Sequence, residues 1–415
     1  MTIIAISIAL IVPTGILNAN GQSYAASRQT GLEQSNEAAD VRQLAEAIHQ
    51  AAGYLLRSCD RNGKFVYRVN LNPKVTPKPE YNFLRHAGAI YALTQYSRTY
   101  PVTNALPTIE KAVIFLKRAS IAPLPADNDL QAVWSIPAIT GSKKPLQAKL
   151  GGTGLGLTAL LGFERQKPGS TPIDYLRKMG NFLLFMQKMD GSFHSKYYPF
   201  HGGKSDQWTS LYYPGEAALG LLMLYEKDPD RIWLQAAAES IAYLARIRAA
   251  RTSVEADHWA LLATAQLLPL YDRCRQPITR NAILKHAIQI CQSMLADGEN
   301  HPEDALEYGC LTNDGRTTPT AIRIEGLLAA YQFLPVTENL LRDRIRIASG
   351  KGISFLLRSQ IPSGEYAGAF PRAIRHLPED HPEFTGSFNE RATEVRIDYV
   401  QHALSAMIQY AGLFL

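Results

Sequence analysis

The sequence predicts an all-α protein, a closed ring of six helical hairpins with short β excursions confined to loops. Three observations carry this. Apolar residues recur at helical spacing almost everywhere after residue 36, and strand-like alternation is limited to short stretches such as Lys64 to Val69 and Gln131 to Pro137. A turn phrase repeats at the ends of widely separated helices. The helices also alternate in character, one apolar nearly all round and the next amphipathic.

Taken in order, the chain begins with an apolar run, Ile3 to Val12, broken by Pro13 and followed by small residues. Ser23-Tyr24-Ala25 offers a cleavage site before Ala26, so residues 1–25 read as a secretory signal. No Lys or Arg precedes the run, which leaves an uncleaved membrane tether as the alternative. The expectation is an exported protein, periplasmic or secreted, whose membrane contact is limited to this segment. Residues 26–36 read as a polar leader without structure, and 37–415 as a single domain. Within it the periodicity predicts twelve helices, at roughly 37–58, 83–99, 105–118, 153–166, 171–188, 214–226, 231–250, 255–269, 279–297, 318–333, 338–358 and 394–414.

Three of these helices end alike: Tyr54-Leu-Leu-Arg-Ser-Cys-Asp-Arg-Asn-Gly63-Lys-Phe65, Phe182-Leu-Leu-Phe-Met-Gln-Lys-Met-Asp-Gly191-Ser-Phe193 and Phe355-Leu-Leu-Arg-Ser-Gln-Ile-Pro-Ser-Gly364-Glu-Tyr366. Asp297-Gly298 is a degraded fourth copy. Each places a glycine past a helix end, where a left-handed backbone costs least. The job is structural.

Alternate helices open on polar and aromatic phrases. These are Tyr81 to His86, Lys149 to Gly154, Ser210 to Glu216, Glu255 to Trp259, Thr318 to Glu325 and Arg396 to His402. The helices they open are the more apolar set, as in Ala217 to Leu224 and Ala260 to Leu270, whereas Arg231 to Arg251 is amphipathic. Six apolar helices therefore form an inner ring and six amphipathic ones an outer ring. The inner helices run parallel, and their N-termini meet at one mouth.

This arrangement resembles the six-hairpin, (α/α)6-toroid superfamily, which includes many glycoside hydrolases, several polysaccharide lyases, uronyl epimerases and N-acyl-sugar epimerases. The resemblance spans about residue 37 to 414 and rests on the twelve-helix alternation and the Gln187 to Phe193 phrase. It implies a carbohydrate-active enzyme acting on an oligo- or polysaccharide. The phrase around Gln187 to Trp208 is also similar to the terpene cyclase and prenyltransferase repeat, but no Asp-rich acid motif accompanies it. Zinc-bearing lanthionine cyclases share the ring, yet no Cys here adjoins a His.

Four carboxylates are expected at the mouth: Glu216, Asp257, Glu325 and Asp398. Glycoside hydrolysis needs two, one to protonate the leaving oxygen and one to activate water or attack. Acids near helix N-termini are also stabilised by capping and the helix dipole, and Asp257 is the plainest N-cap. His258 and His402 are candidates for proton transfer, and Asp398 and His402 lie i,i+4 on one helix face, so they can touch. Tyr81, Trp208, Tyr212, Tyr213, Trp259 and Tyr399 offer rings for sugars to stack on or for the interior to pack. Asn82, Arg85, His86, Arg323 and Gln401 supply polar contacts.

Three functions compete. The first is a glycoside hydrolase-like enzyme. The second is a uronate polysaccharide lyase or C5-epimerase, with Asn82, Arg85 or Arg323 neutralising the carboxylate and Tyr213 or His258 as base. The third is a non-catalytic glycan-binding or envelope polysaccharide assembly component. The net charge of +6 has no dense basic run and nucleic-acid motifs are absent, so no nucleic acid is expected. None of the four cysteines, Cys59, Cys274, Cys291 and Cys310, has metal-like spacing, so no metal is expected. Gly151-Gly152-Thr153-Gly154-Leu155-Gly156 follows no strand of a βαβ unit, so no dinucleotide or other cofactor is expected.

Overall fold

The structure, a computed structural model, describes residues 23–101, 104–125, 127–296 and 301–415, with side chains from residue 41 onward. It divides into two compact units, Met1–Gln43 and Leu44–Leu415. The apolar run of the expected signal lies outside the described residues. The twelve long helices are α1 Ser23–Ser58, α2 Phe83–Thr99, α3 Leu106–Ser120, α4 Leu150–Glu164, α5 Ile173–Met186, α6 Tyr213–Lys227, α7 Arg231–Arg248, α8 His258–Leu267, α9 Arg280–Ala296, α10 Thr317–Phe333, α11 Asn339–Ser359 and α12 Ile397–Phe414. One correction concerns the leader: residues 26–36 are part of α1. The stretch lacks proline, and its Ala26, Arg28, Gln29, Glu33 and Gln34 are good helix formers.

In the second unit the even-numbered helices close a ring: α2 packs on α4, α4 on α6, α6 on α8, α8 on α10, α10 on α12, and α12 returns to α2. From α3 to α11 the odd-numbered helices lie outside, each against the two inner helices that flank it in sequence. The outer part of α1 joins α2 through a His49–Tyr96 hydrogen bond of 2.8 Å. Burial explains the sorting. Every residue of α4 is buried, and its glycines and alanines let neighbouring backbones approach. Helices α3 and α5 bury one stripe and expose the other. Because one outer helix reverses the chain between successive inner ones, all six inner helices point the same way.

The repeated phrase has a packing role. Gly63 and Gly191 take left-handed φ of 87° and 90°. A Cβ at either would collide with a carbonyl oxygen of the next outer helix, Lys111 on α3 or Glu239 on α7. After each, an aromatic folds back, Phe65 onto Cys59 and Phe193 onto Gln187. In the third phrase Gly364 is left-handed but faces open space, and Gly368 instead abuts the Gln50 carbonyl on α1. The fourth copy, Asp297-Gly298, lies outside the described residues; Gly309 makes the equivalent approach to the Lys351 carbonyl on α11. These glycine turns staple the outer layer together.

The β excursions are more organised than expected. Strands β2 Ile121–Leu124, β3 Asp127–Ser135, β4 Gln147–Lys149, β5 Lys196–Tyr198 and β6 Gly203–Ser205 form one antiparallel sheet in that order, after β1 Arg68–Asn70 in chain order. Strand β1 pairs with β7 Glu394–Arg396, tying the loop before α2 to the loop before α12, with Arg68 opposite Arg396. The expected stretches at Lys64 to Val69 and Gln131 to Pro137 overlap β1 and β3. The cysteines are all free thiols. Among the described residues no helix is long and apolar enough to cross a membrane.

Candidate active site

A cavity of about 450 Å³ lies at the mouth formed by the inner N-termini, and all six inner helices line it. Arg85 comes from the first turn of α2, Leu155 from α4, Glu216 from α6, His258 and Trp259 from α8, Ile322 from α10, and Asp398, Tyr399, Gln401 and His402 from α12. Tyr212, just before α6, completes this part of the wall.

One side of the cavity is dry. Glu216 is 2% exposed and its Oε2 has no hydrogen-bond partner. Burial, reinforced by the charge of Asp257 and opposed by Arg85, pushes its carboxyl up to about 8. It fits there because residue 151 is glycine: a Cβ at Gly151 would run into Glu216 Oε2 and the Tyr213 ring. That is the use of the Gly-rich phrase, which opens α4 as a close-packed helix start. His258 is 1% exposed and neither ring nitrogen has a partner. Burial, then the neighbouring His402, holds it well below the usual imidazole range, so it is neutral. Tyr212 meets it edge-on, with ring centroids 5.1 Å apart. His402 faces it at 5.3 Å between centroids and hydrogen-bonds through Nδ1 to Glu325 Oε2 at 2.7 Å.

The other side is charged. Asp398 accepts from Arg396 Nε at 2.5 Å and Nη2 at 2.9 Å, and from Arg85 Nε at 2.8 Å. Burial alone would raise its carboxyl, but the two guanidinium groups hold it well below the ordinary carboxylate range. Arg85 is itself held by the Tyr67 hydroxyl at 2.7 Å. The expected Asp398–His402 contact is therefore not made. Both Asp398 oxygens turn to the arginines, and His402 turns to α10.

Several predicted site residues lie elsewhere. Asp257 is fully buried, caps α8 by accepting from Ala260 N at 3.1 Å and pairs with Arg248 at 2.9 Å, so it holds the helix start and does not line the cavity. Tyr81 bonds its hydroxyl to His86 Nδ1 at 2.7 Å, and His86 Nε2 reaches the Ala112 carbonyl at 2.9 Å. Both pack in an aromatic cluster with Phe65, Phe83 and Phe115, where burial lowers the imidazole to about 4. Asn82 caps α2. Tyr213 is buried beside Gly151, and the half-exposed Trp208 leans on it under Lys196. Arg323 is outside the lining, and Glu325 acts from behind His402.

Sequence reading missed four lining arginines, Arg316, Arg372, Arg391 and Arg396. Arg316 precedes α10, and Arg372 and Arg391 lie in the long connection between α11 and α12. That connection is threaded into place by Thr317 N donating to the Arg372 carbonyl at 3.0 Å and Arg372 N donating to Glu394 O at 2.8 Å. Its arginine content was the available signal, but no helical period pointed there. The structure also qualifies the expectation of no metal: His258, Glu325 and His402 offer ligand atoms within 4.8 Å of one another, a set whose donor chemistry suits a divalent transition metal.

No family model and no curated protein matches the sequence. Solved structures match the fold. The GH76A α-1,6-mannanase of a Salegentibacter species superposes with a TM-score of 0.59 at 13% identity, covering 89% of this chain and 99% of that one. An inactive variant of that enzyme, in complex with α-1,6-mannotriose, gives 0.58 at 13%, with the same coverage. Cellobiose 2-epimerase of Bacillus thermoamylovorans gives 0.63 at 11%, covering 90% and 99%, and a D-mannose isomerase gives 0.60 at 12%, covering 89% and 97%. With these the chain shares the (α/α)6 six-hairpin toroid.

Proposed function

We propose that this chain is a carbohydrate-active enzyme that moves a proton on a sugar, as an epimerase or a lyase. The observation that supports this most is the buried His258, both ring nitrogens without a hydrogen-bond partner, packed edge-on against the Glu325-oriented His402 in the cavity wall. One imidazole takes the proton from a carbon next to a carbonyl or carboxyl group, and the electron pair moves onto that group's oxygen. Return of a proton to the opposite face of the planar intermediate gives the epimer; the two imidazoles, 5.3 Å apart between centroids, work from one side of the cavity. Alternatively, the electron pair expels the oxygen on the adjacent carbon, Glu216 protonates that leaving oxygen, and an unsaturated sugar results. His258 is suited to accept a proton because burial keeps it neutral, and Glu216 to donate one because burial keeps it protonated up to about pH 8.

A second reading is glycoside hydrolysis, favoured by one feature: Glu216 and Asp398 are pushed apart in pKa, as an acid and a base would be. Against it, both Asp398 oxygens are engaged by arginines, so neither is free to meet water or the sugar. Incubation of neutral and uronate oligosaccharides in deuterated solvent separates the two. Either deuterium at a sugar carbon with an epimer, or an ultraviolet-absorbing unsaturated product without it, is expected. New reducing ends with neither deuterium nor ultraviolet absorbance would replace this reading by the hydrolytic one. Export, proposed from Ile3 to Val12, is tested by cell fractionation with and without residues 1–25.

A further inference from the structure

The cavity carries more positive charge than its own acids can match. Five guanidinium groups line it, Arg85, Arg316, Arg372, Arg391 and Arg396, against two carboxyl groups, Glu216 and Asp398. Glu216 is protonated at neutral pH, so Asp398 alone answers two of the five. Two carboxylates behind the wall help: Asp314 pairs with Arg316 at 2.5 Å, and Glu394 with Arg391 at 3.0 Å. The Arg372 guanidinium makes no ion pair with a carboxylate among the described residues. Its side chain donates from Nη1 to the Phe388 carbonyl at 3.2 Å, and its guanidinium lies 4.5 Å over the Phe388 ring. Desolvation and repulsion from its neighbours Arg391 and Arg316 disfavour its charge, against the pull of Tyr399 and Asp314.

A half-buried arginine, stacked in place and beside two others, is suited to bind an anion. We infer that the substrate is an anionic sugar, a hexuronate, whose carboxylate is received by Arg372 with Arg316 and Arg391 at the α10–α12 side of the mouth. The inference deepens the proton-transfer reading and rests on it for the choice of carboxylate. A C–H bond next to a carboxylate is removable only when that carboxylate's charge is neutralised, and these arginines enter from the segments before α10 and α12, whereas Glu216 enters from α6.

Binding, measured by calorimetry, tests this apart from turnover. The probes are oligomers of glucuronate, galacturonate and mannuronate, each against its neutral hexose oligomer of equal length, and a sulfated hexose oligomer. They are offered to the wild-type chain and to Arg372→Gln and Arg372→Lys. At least one uronate is expected to bind at least tenfold tighter than its neutral counterpart, with affinity falling as salt rises. Arg372→Gln should weaken that binding by about tenfold to a hundredfold and Arg372→Lys by less, with melting temperatures unchanged. Equal binding of neutral and uronate probes, no binding of any uronate, preference for the sulfated oligomer, or indifference to Arg372→Gln would each overturn the assignment. A uronate that binds as expected but gains no deuterium and undergoes no cleavage would leave this site standing and remove the proton-transfer reading.

Discussion

Glu216 and Asp398 occupy equivalent places, each in the first turn of an inner helix and each facing the same cavity, yet they are opposite acids. Glu216 sits among Gly151, Tyr213 and the α8 start with one oxygen unpartnered, and stays protonated to about pH 8. Asp398 sits between Arg85 and Arg396 and stays ionised far into acid. A helix N-terminus favours negative charge by at most about 2 kcal/mol. The contrast teaches that neighbours reaching in from other helices, and not the position in the helix, decide which carboxyl can carry a proton.

The largest expected effect breaks the dry side. His258→Ala and His402→Ala should each lower turnover by about 10²–10⁴-fold while the ring still folds, read as rates beside circular dichroism. Dialysis against a chelator should leave the wild-type rate intact. A loss restored by a divalent ion would instead make His258, Glu325 and His402 metal ligands.

Next, Asp398→Asn strands two guanidinium groups and should cost about 3–5 kcal/mol at pH 7, measured by denaturant unfolding. The folded carboxyl lies below its unfolded value, so its stabilisation is present above the unfolded pKa and lost as pH falls through the folded one. The variant should therefore differ most from wild type at neutral pH and converge with it in strong acid. A neutral effect would mean that the arginine clamp contributes little.

The third effect has the opposite sign. Glu216 is raised above its unfolded value, so the folded protein holds a proton that the unfolded chain gives up. Its contribution is complete below the unfolded pKa and declines as pH rises to about 8. Glu216→Gln should match wild type near pH 4 and gain on the order of 4 kcal/mol near pH 8, from a carboxyl raised from 4.5 to about 8. If Glu216 is the acid of an elimination, the variant also loses the fall in rate above pH 8. Equal melting temperatures at both pH values would place the two acids in similar surroundings and dissolve the comparison.

The ring was legible because its cause is local and repeated. Helical spacing, all-round apolarity in Ala217 to Leu224 against the striped Arg231 to Arg251, and glycines at Gly63 and Gly191 each follow from a few adjacent residues. Alternation then dictated that six N-termini share a mouth. Side-chain partnerships were less legible. The i,i+4 spacing joined His402 to Asp398, but a stronger pull from Arg85 and Arg396 removed Asp398, and Glu325 from α10 took its place. Arg372 and Arg391 lie on a connection with no period, fastened by backbone hydrogen bonds to Thr317 and Glu394 that no spacing rule reveals.

By itself, then, the order of amino acids determined which helices are inside, which are outside, and which ends of them meet, since these depend on apolar pattern along one segment at a time. Only the tertiary structure decided that Glu216 keeps its proton, that Asp398 loses its own, and that arginines crowd one wall. Those outcomes depend on charges and desolvation between residues up to about three hundred positions apart, such as Arg85 and Asp398, and Coulomb energy follows distance in space, not along the chain.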